Sequence, residues 1–336
     1  MTTQVPAALG LSPHDTAAVL QAAGLAPSVH NTQPWRFRVT PDVIELHADP
    51  TRRLPAADPE DVELRLACGA ALFNLRLALH GHGIRPEVAR FPDRDRPGLV
   101  AEVRRGGPAA RHPEITRLLA ALPRRRTNRH PFTDVPVESP EQHELFRAAA
   151  EEGAHLDVVH DRGRRRALSE LAQTAHRRQQ ADPEFRAELA RWTGTHGDRP
   201  DGVPTSAGGP LPGPQDRWVL RDFTGGTARE RLPGNDFEDE PMIAVLTAHL
   251  PGIAGDVQAG EALQRVLLTA TADGLAVSFL SQLIEVPEVR HAVHRLLGTA
   301  RPPHAALRVG HGWPTLRTPR RDVADLLMDP ETSTRS

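Results

Sequence analysis

The chain has 336 residues, none of them lysine or tyrosine, so its 41 basic side chains are all arginine. Without lysine there is no Schiff-base chemistry, and with one cysteine, Cys68, there is no internal disulfide, CxxC pair or multi-cysteine metal site. A formal net charge of −2 gives no electrostatic case for a nucleic-acid partner, and no apolar run reaches the roughly 18 residues of a membrane span.

In chain order, residues 14–24 predict a short helix closed by Gly24. WRFRV at 35–39 and VIELHA at 43–48 alternate with strand period, so 35–48 predicts a hairpin. Residues 59–82 predict a long helix, with Pro59 near its start and Gly83 after its end, and 99–104 a strand. Helices follow at 112–122 and 140–152, the second opening on a capped Ser139-Pro140-Glu141-Gln142 start, and then a strand at 155–160. A helix over 162–192 is interrupted at Asp182-Pro183. The apolar run 242–250 reads as a central strand. Helices at 256–273, 287–298 and 320–328 then alternate with strands at 275–280 and 305–310. Residues 193–240 are rich in glycine and proline, and this segment reads as a disordered insertion or as a packed lid carrying Trp218 and Phe223, with Trp192 just before it. The N-terminus has no basic region of the secretory kind, so the expectation is a cytoplasmic protein.

The segment 68–89 can be laid on 259–280 without gaps, matching Gly69 with Gly260, Leu72 with Leu263 and Gly83 with Gly274. Each copy is a helix closed by glycine and then an extended segment. The expectation is two similar halves, 1–107 and 108–336, with 193–240 inserted in the second.

Three segments could carry chemistry. APSVHNTQPWRF at 26–37 puts Ser28, His30, Asn31, Thr32 and Gln33 between two backbone-fixing prolines, Pro27 and Pro34. PRRRTNRHPF at 123–132 sets Arg124, Arg125, Arg126 and Arg129 around Thr127, which suits a phosphate group or a solvated basic turn. LRTPRRDVADLL at 316–327 sets Arg317, Arg320 and Arg321 around Pro319. Ser28 lacks the G-x-S-x-G context of a hydrolase nucleophile, and no G-x-G-x-x-G or P-loop is present. His291 and His294 lie three apart on a helix without an evident third ligand, so no metal site is expected.

Together these segments resemble the nitroreductase-like FMN flavoproteins. PSVHNTQPWRF is similar to the family's PSxxNxQPW segment, RRTNRHPF to its phosphate-gripping RRSxRxF segment, and GLAVSFLSQLIEVPEV at 274–289 to the glycine-led segment beside the flavin ring. Here PSxxNxQPW precedes the arginine segment, an order that resembles the actinobacterial Acg-type branch. The resemblance implies an α+β fold of two halves, each a mainly antiparallel sheet flanked by helices. It further implies a fused pseudo-dimer with one FMN site between the halves, because each half keeps only one of the two complementary segments.

The residue roles implied by the resemblance follow. Arg125, Arg126, Thr127 and Arg129 would hold the phosphate and ribityl chain. Pro27, Ser28 and Asn31, with Gln33, would line the ring side, and Ser281 and Gln282 would lie near N5 and O4. Arg320, or its neighbours Arg317 and Arg321, would lie near the phosphate or the N1–O2 edge. The implied function passes hydride from NAD(P)H through FMN to a small-molecule electron acceptor, such as a nitroaromatic or a quinone, with no protein nucleophile. The alternative of another class is a protein of the same fold that sequesters or senses flavin beneath a closed lid. The chain would be a monomeric pseudo-dimer or a homodimer, without nucleic-acid or membrane partners.

Overall fold

In this computed structural model, residues 5–110, 112–195, 199–213, 216–228 and 241–328 are described. Pro13–Gly24 forms α1, whose Ser12 hydroxyl accepts from the Asp15 amide at 3.1 Å, with Pro13 in the first turn where an N–H would go unpaired. Trp35–Val39 (β1) and Ile44–Ala48 (β2) form the expected hairpin, with Trp35 opposite Ala48 and Val39 opposite Ile44. Val62–Gly81 (α2) leads into Ile84–Arg90 (β3) and Leu99–Pro108 (β4), and the first sheet runs β1-β2-β4-β3, antiparallel throughout. Trp35 and Phe37 are buried while Arg36 and Arg38 are not, so the alternation in WRFRV marks a sheet with one apolar face.

The second sheet follows after Pro113–Ala121 (α3) and Ser139–Glu151 (α4). Ala154–Val158 (β5) is its edge strand. Arg162–Ala181 (α5) and Pro183–Trp192 (α6) meet at Asp182, whose carboxylate accepts from the Glu184 and Phe185 amides, so Asp182-Pro183 ends one helix and caps the next. Two short strands, Thr193–Thr195 (β6) and Val203–Pro204 (β7), pair with each other. Met242–Ala248 (β8), Gly252–Ala272 (α7), Ala276–Phe279 (β9), Gln282–Glu285 (α8), Pro287–Leu297 (α9), Ala305–Gly310 (β10) and Val323–Leu326 (α10) complete the order. This sheet runs β5-β8-β10-β9, again antiparallel. Its central strands are apolar without alternation because helices cover both faces: α4 and α7 on one, α5, α8 and α9 on the other.

Within each sheet, strands taken in chain order lie first, second, fourth, third, and the long helix joins the second strand to the third. Those helices, α2 and α7, cross where the paired glycines of the sequence match meet. A Cβ on Gly69 would lie 2.1 Å from the Val257 carbonyl oxygen, and one on Gly260 would lie 1.9 Å from that of Leu66. Beyond the glycines the crossing is polar: Gln264 donates to Asn74 at 2.7 Å, and Arg76 binds both Glu152 and the buried Glu261.

Some boundaries differ from the sequence reading. The helix expected from 59 begins at Val62, because the Asp58 carboxylate accepts from the Leu64 amide and Asp61 takes a left-handed φ of 56°. The cap of α4 is Glu138, paired with Glu141 in a capping box, one residue earlier than expected. Leu327 forms a parallel bridge with Phe37, and the Met328 amide donates to the Phe37 carbonyl, so the tail crosses back to the first sheet. Among the described residues no helix is long and apolar enough to cross a membrane.

Candidate functional site

Residues 25–34 connect α1 to β1, whereas only Glu152 and Gly153 connect the equivalent α4 to β5. The long connector is strained. His30, Asn31 and Gln33 have φ of 49°, 57° and 51°, a region that side chains other than glycine's seldom adopt. The Ser28 hydroxyl accepts from the Gln33 amide at 2.8 Å and closes the loop on itself. The segment 123–132 reaches the same place from the other sheet, because the Asn128 amide donates to the Val277 carbonyl at 2.9 Å and Thr127 bridges β9. Buried Arg308 on β10 donates to the His130 carbonyl at 3.0 Å.

Where these segments face each other lie two adjoining cavities that share Pro27, Ser28, Thr127 and Arg129. The smaller, about 580 Å³ including its mouth, is lined by Arg125, Arg126, Arg129, Arg317 and Arg320 and, among the described residues, by no carboxylate. Burial, reinforced by the neighbouring cation Arg126, lowers the Arg125 guanidinium to about 10. Burial and then Arg125 and Arg221 lower Arg129 to about 10, and burial and then Arg125, Arg126 and Arg317 lower Arg320 to about 9. All three remain cationic at neutral pH. Nε and one terminal nitrogen of Arg125, and Nε of Arg320, are buried with no hydrogen-bond partner. Buried cations without a counter-charge are costly, and an anion with several oxygens would satisfy them.

The larger cavity, about 1010 Å³ including its mouth, is a chamber lined by Ser28 and His30 from the connector, Ser281 and Gln282 beside α8, and Trp218 and Phe223 from the 193–240 segment. The described parts of that segment are fastened to both site loops. Asn31 donates to the Gly202 carbonyl at 2.9 Å, Gln33 to that of Pro200 at 2.8 Å, and Arg129 to that of Ala207 at 2.9 Å. Arg129 also stacks on Phe223, with 4.5 Å from guanidinium carbon to ring centre. Trp192 lines neither cavity. It packs in a separate cluster with Leu54, Phe185 and Leu189.

Most of the residues given site roles by the resemblance line one cavity or both: Pro27, Ser28, Asn31, Arg125, Arg126, Thr127, Arg129, Ser281, Gln282, Arg317 and Arg320. Two do not. The Gln33 side chain is held by Pro200 and by the Arg321 amide, and the Arg321 guanidinium faces the Gln33 carbonyl and Asp49, so both brace the connector from behind. Asn31 lines the basic recess with its amide already engaged: it donates to Gly202 and Pro319, and its oxygen accepts from Arg320 at 2.8 Å. Asn31 thus positions Arg320.

His30, Glu63 and Arg221 also line the chamber and were not among the predicted site residues. Arg221 forms a buried fork on Glu285, shared with Gln179. Neither ring nitrogen of His30 has a partner, and burial, with Arg221 next, lowers its pKa from 6.5 to about 3. A histidine buried neutral contributes stability above pH 6.5 that is lost as pH falls towards 3. The melting temperature of wild type is expected to fall more steeply than that of His30→Gln between pH 7 and 4. Parallel curves would contradict a neutral buried His30.

No family model matches the sequence. Curated relatives do. Mycobacterium tuberculosis Rv3131, named as an NAD(P)H nitroreductase, is 34% identical over 324 residues, covering 93% of this chain and 91% of the relative. The M. tuberculosis protein Acg, named likewise, is 32% identical, covering 92% of this chain and 94% of the relative. Among solved structures, a nitroreductase with bound FMN from Bacteroides fragilis aligns at 14% identity and a TM-score of 0.37, over 65% of this chain and 98% of the other. The Vibrio harveyi NADPH:FMN oxidoreductase complexed with NAD+ aligns at 13% identity and a TM-score of 0.38, over 66% of this chain and 80% of the other.

Proposed function

The chain belongs to the NAD(P)H nitroreductase family of Rv3131 and Acg, and on that premise we propose that it binds one FMN between its two sheets and uses it as an oxidoreductase. The observation that carries this reading is the recess lined by buried Arg125 and half-buried Arg126, Arg129 and Arg320, with no carboxylate among its described lining residues, opening into the chamber. The residues fit the cofactor. Arg125, Arg126, Arg320 and the Thr127 hydroxyl would hold a phosphate, and Pro27, Ser28, Ser281 and Gln282 would border the ring in the chamber.

When bound, FMN supplies a ring that takes a hydride from NAD(P)H and passes it to an acceptor such as a nitroaromatic or quinone. The protein's own contribution is electrostatic and geometric. Arg320, fixed by Asn31 and Thr318, holds positive charge at the junction of recess and connector, where it favours the more negative of two bound states. Trp218 and Phe223 wall the chamber and exclude water.

The equal strand orders and the Gly69–Gly260 crossing support a fused pseudo-dimer, with halves at 1–107 and 108–336 and the tail exchanged onto the first half. The mirror-related position lacks a long connector, since α4 runs into β5 through two residues, so the site is single.

A second reading is favoured by the ties of the 193–240 segment to Asn31, Gln33 and Arg129: a closed lid over flavin that is sequestered or sensed, with little turnover. Anaerobic NADPH or NADH added to the FMN-loaded protein separates the two. Bleaching of the flavin spectrum within seconds is the oxidoreductase result. An unchanged spectrum with both nucleotides would exclude the reductase and leave the sequestering reading.

A further inference from the structure

Glu63 stands in the first turn of α2 and is among the residues lining three neighbouring cavities. One is the chamber. The second is a narrow crevice between Asp58, Glu60, Glu285 and Arg290, and the third a narrow crevice beside Thr32 and Arg52, each with about 10 Å³ of space for water, room for about one molecule. The residue is 8% exposed, and its Oε2 is buried with no hydrogen-bond partner. An unpaired carboxyl oxygen at the wall between a reaction chamber and a side crevice is placed to pass a proton from one to the other.

Composition removes the competitors. The chain has no lysine and no tyrosine, and Glu63 is the one carboxyl group among the described residues lining the chamber. The serine and threonine hydroxyls there can donate hydrogen bonds but do not release protons near neutral pH. Arg129 and Arg221 keep their protons. His30 is already neutral. His304 also lines the chamber, but its ring is engaged away from it, with Nδ1 accepting from the Ala248 amide and Nε2 facing Asp256 at 3.4 Å.

We propose that Glu63 donates the proton that completes reduction of an oxygen-bearing acceptor, of the quinone class, bound in the chamber. This rests on the flavin oxidoreductase reading. A quinone that takes a hydride from reduced flavin becomes a hydroquinone monoanion. The Glu63 O–H bond breaks, the acceptor's second O–H bond forms, and the carboxylate left behind is reprotonated from water through the crevice lined by Asp58 and Glu60.

The surroundings hold the proton ready. Burial raises Glu63 well above the usual carboxylate range, and Glu285 from α8 and Asp58 from the preceding turn push the same way; Arg221 and Arg290 oppose them. Glu285 stays ionised because Arg221 grips it, so two neighbouring carboxyls are driven apart in acidity. Asp58 is itself raised to about 6, chiefly by burial.

The test uses Glu63→Gln, which keeps the shape and removes the acid. Holoprotein is photoreduced anaerobically, so nicotinamide reactivity is not required, and is mixed with p-benzoquinone or with ferricyanide, which accepts electrons without a proton. The expected result is oxidation by quinone slowed about 100-fold, with oxidation by ferricyanide and FMN affinity unchanged within about twofold. In flavin-free protein, an infrared carbonyl band of a protonated carboxyl that shifts in deuterium oxide should be present in wild type and absent in Glu63→Gln. Equal slowing with both acceptors, no slowing with quinone, or a band that survives the substitution would overturn the proposal. Failure of wild type to bind FMN would overturn the flavin reading and this proposal together.

Discussion

Arg125→Ala is expected to raise the dissociation constant for FMN by about 100-fold while leaving the melting temperature of the flavin-free protein unchanged or higher. Arg125 is 6% exposed, two of its three guanidinium nitrogens have no partner, and the nearest charges are other arginines. In the free protein it is a desolvated cation beside Arg126, so its removal relieves strain that only an anion would otherwise relieve. With phosphate bound, it would be one partner of a buried charge pair, whose truncation costs about 2–5 kcal/mol. Arg126 should matter less. It is more exposed, and one of its terminal nitrogens already donates to the carbonyls of Pro123 and Arg125. Calorimetric titration and melting curves of both variants check the order. A large loss of stability without loss of affinity in Arg125→Ala would show a structural arginine.

Gly260→Ala is expected to destabilise the protein by about 3 kcal/mol or more, beyond the usual cost of overpacking, or to prevent folding. The added Cβ would fall 1.9 Å from the Leu66 carbonyl oxygen and 2.9 Å from the Gly69 Cα, and backbone cannot yield as a side-chain tip can. The helices would have to separate, disturbing Gln264–Asn74 and Arg76–Glu261 along the same crossing. Gly274→Ala is a useful contrast: no atom lies within 4 Å of its Cβ position, so any cost comes from its φ of 80° alone. Urea denaturation of the two variants separates close packing from backbone strain.

Much of this was legible in the sequence because the relevant physics is local. WRFRV alternates and becomes a one-faced strand; MIAVLTA does not and is covered on both faces. The gapless match of Gly69 to Gly260 turned out to be a physical contact. What escaped depends on distant partners. β3 carries Pro86, tolerable because the strand lies at the sheet edge, and the sequence match announces it only as an extended segment because the periodicity of IRPEVAR is weak. Glu63 reads as an ordinary acidic residue in a helix's first turn. Burial in the folded protein, reinforced by Glu285 more than 200 positions later in the chain, gives it a different chemistry. The Asn31 side chain is taken up by Gly202, Pro319 and Arg320, and none of those contacts has a signal in PSVHN itself.

We propose one flavin site per chain, built from the long connector of the first half and the arginine segment of the second. Titration of flavin-free protein with FMN, followed by quenching of flavin fluorescence and by calorimetry, tests it most directly. Saturation is expected at one FMN per chain, with binding sharply weakened in Arg125→Ala. Saturation at two per chain, or no binding by a correctly folded protein, would contradict it.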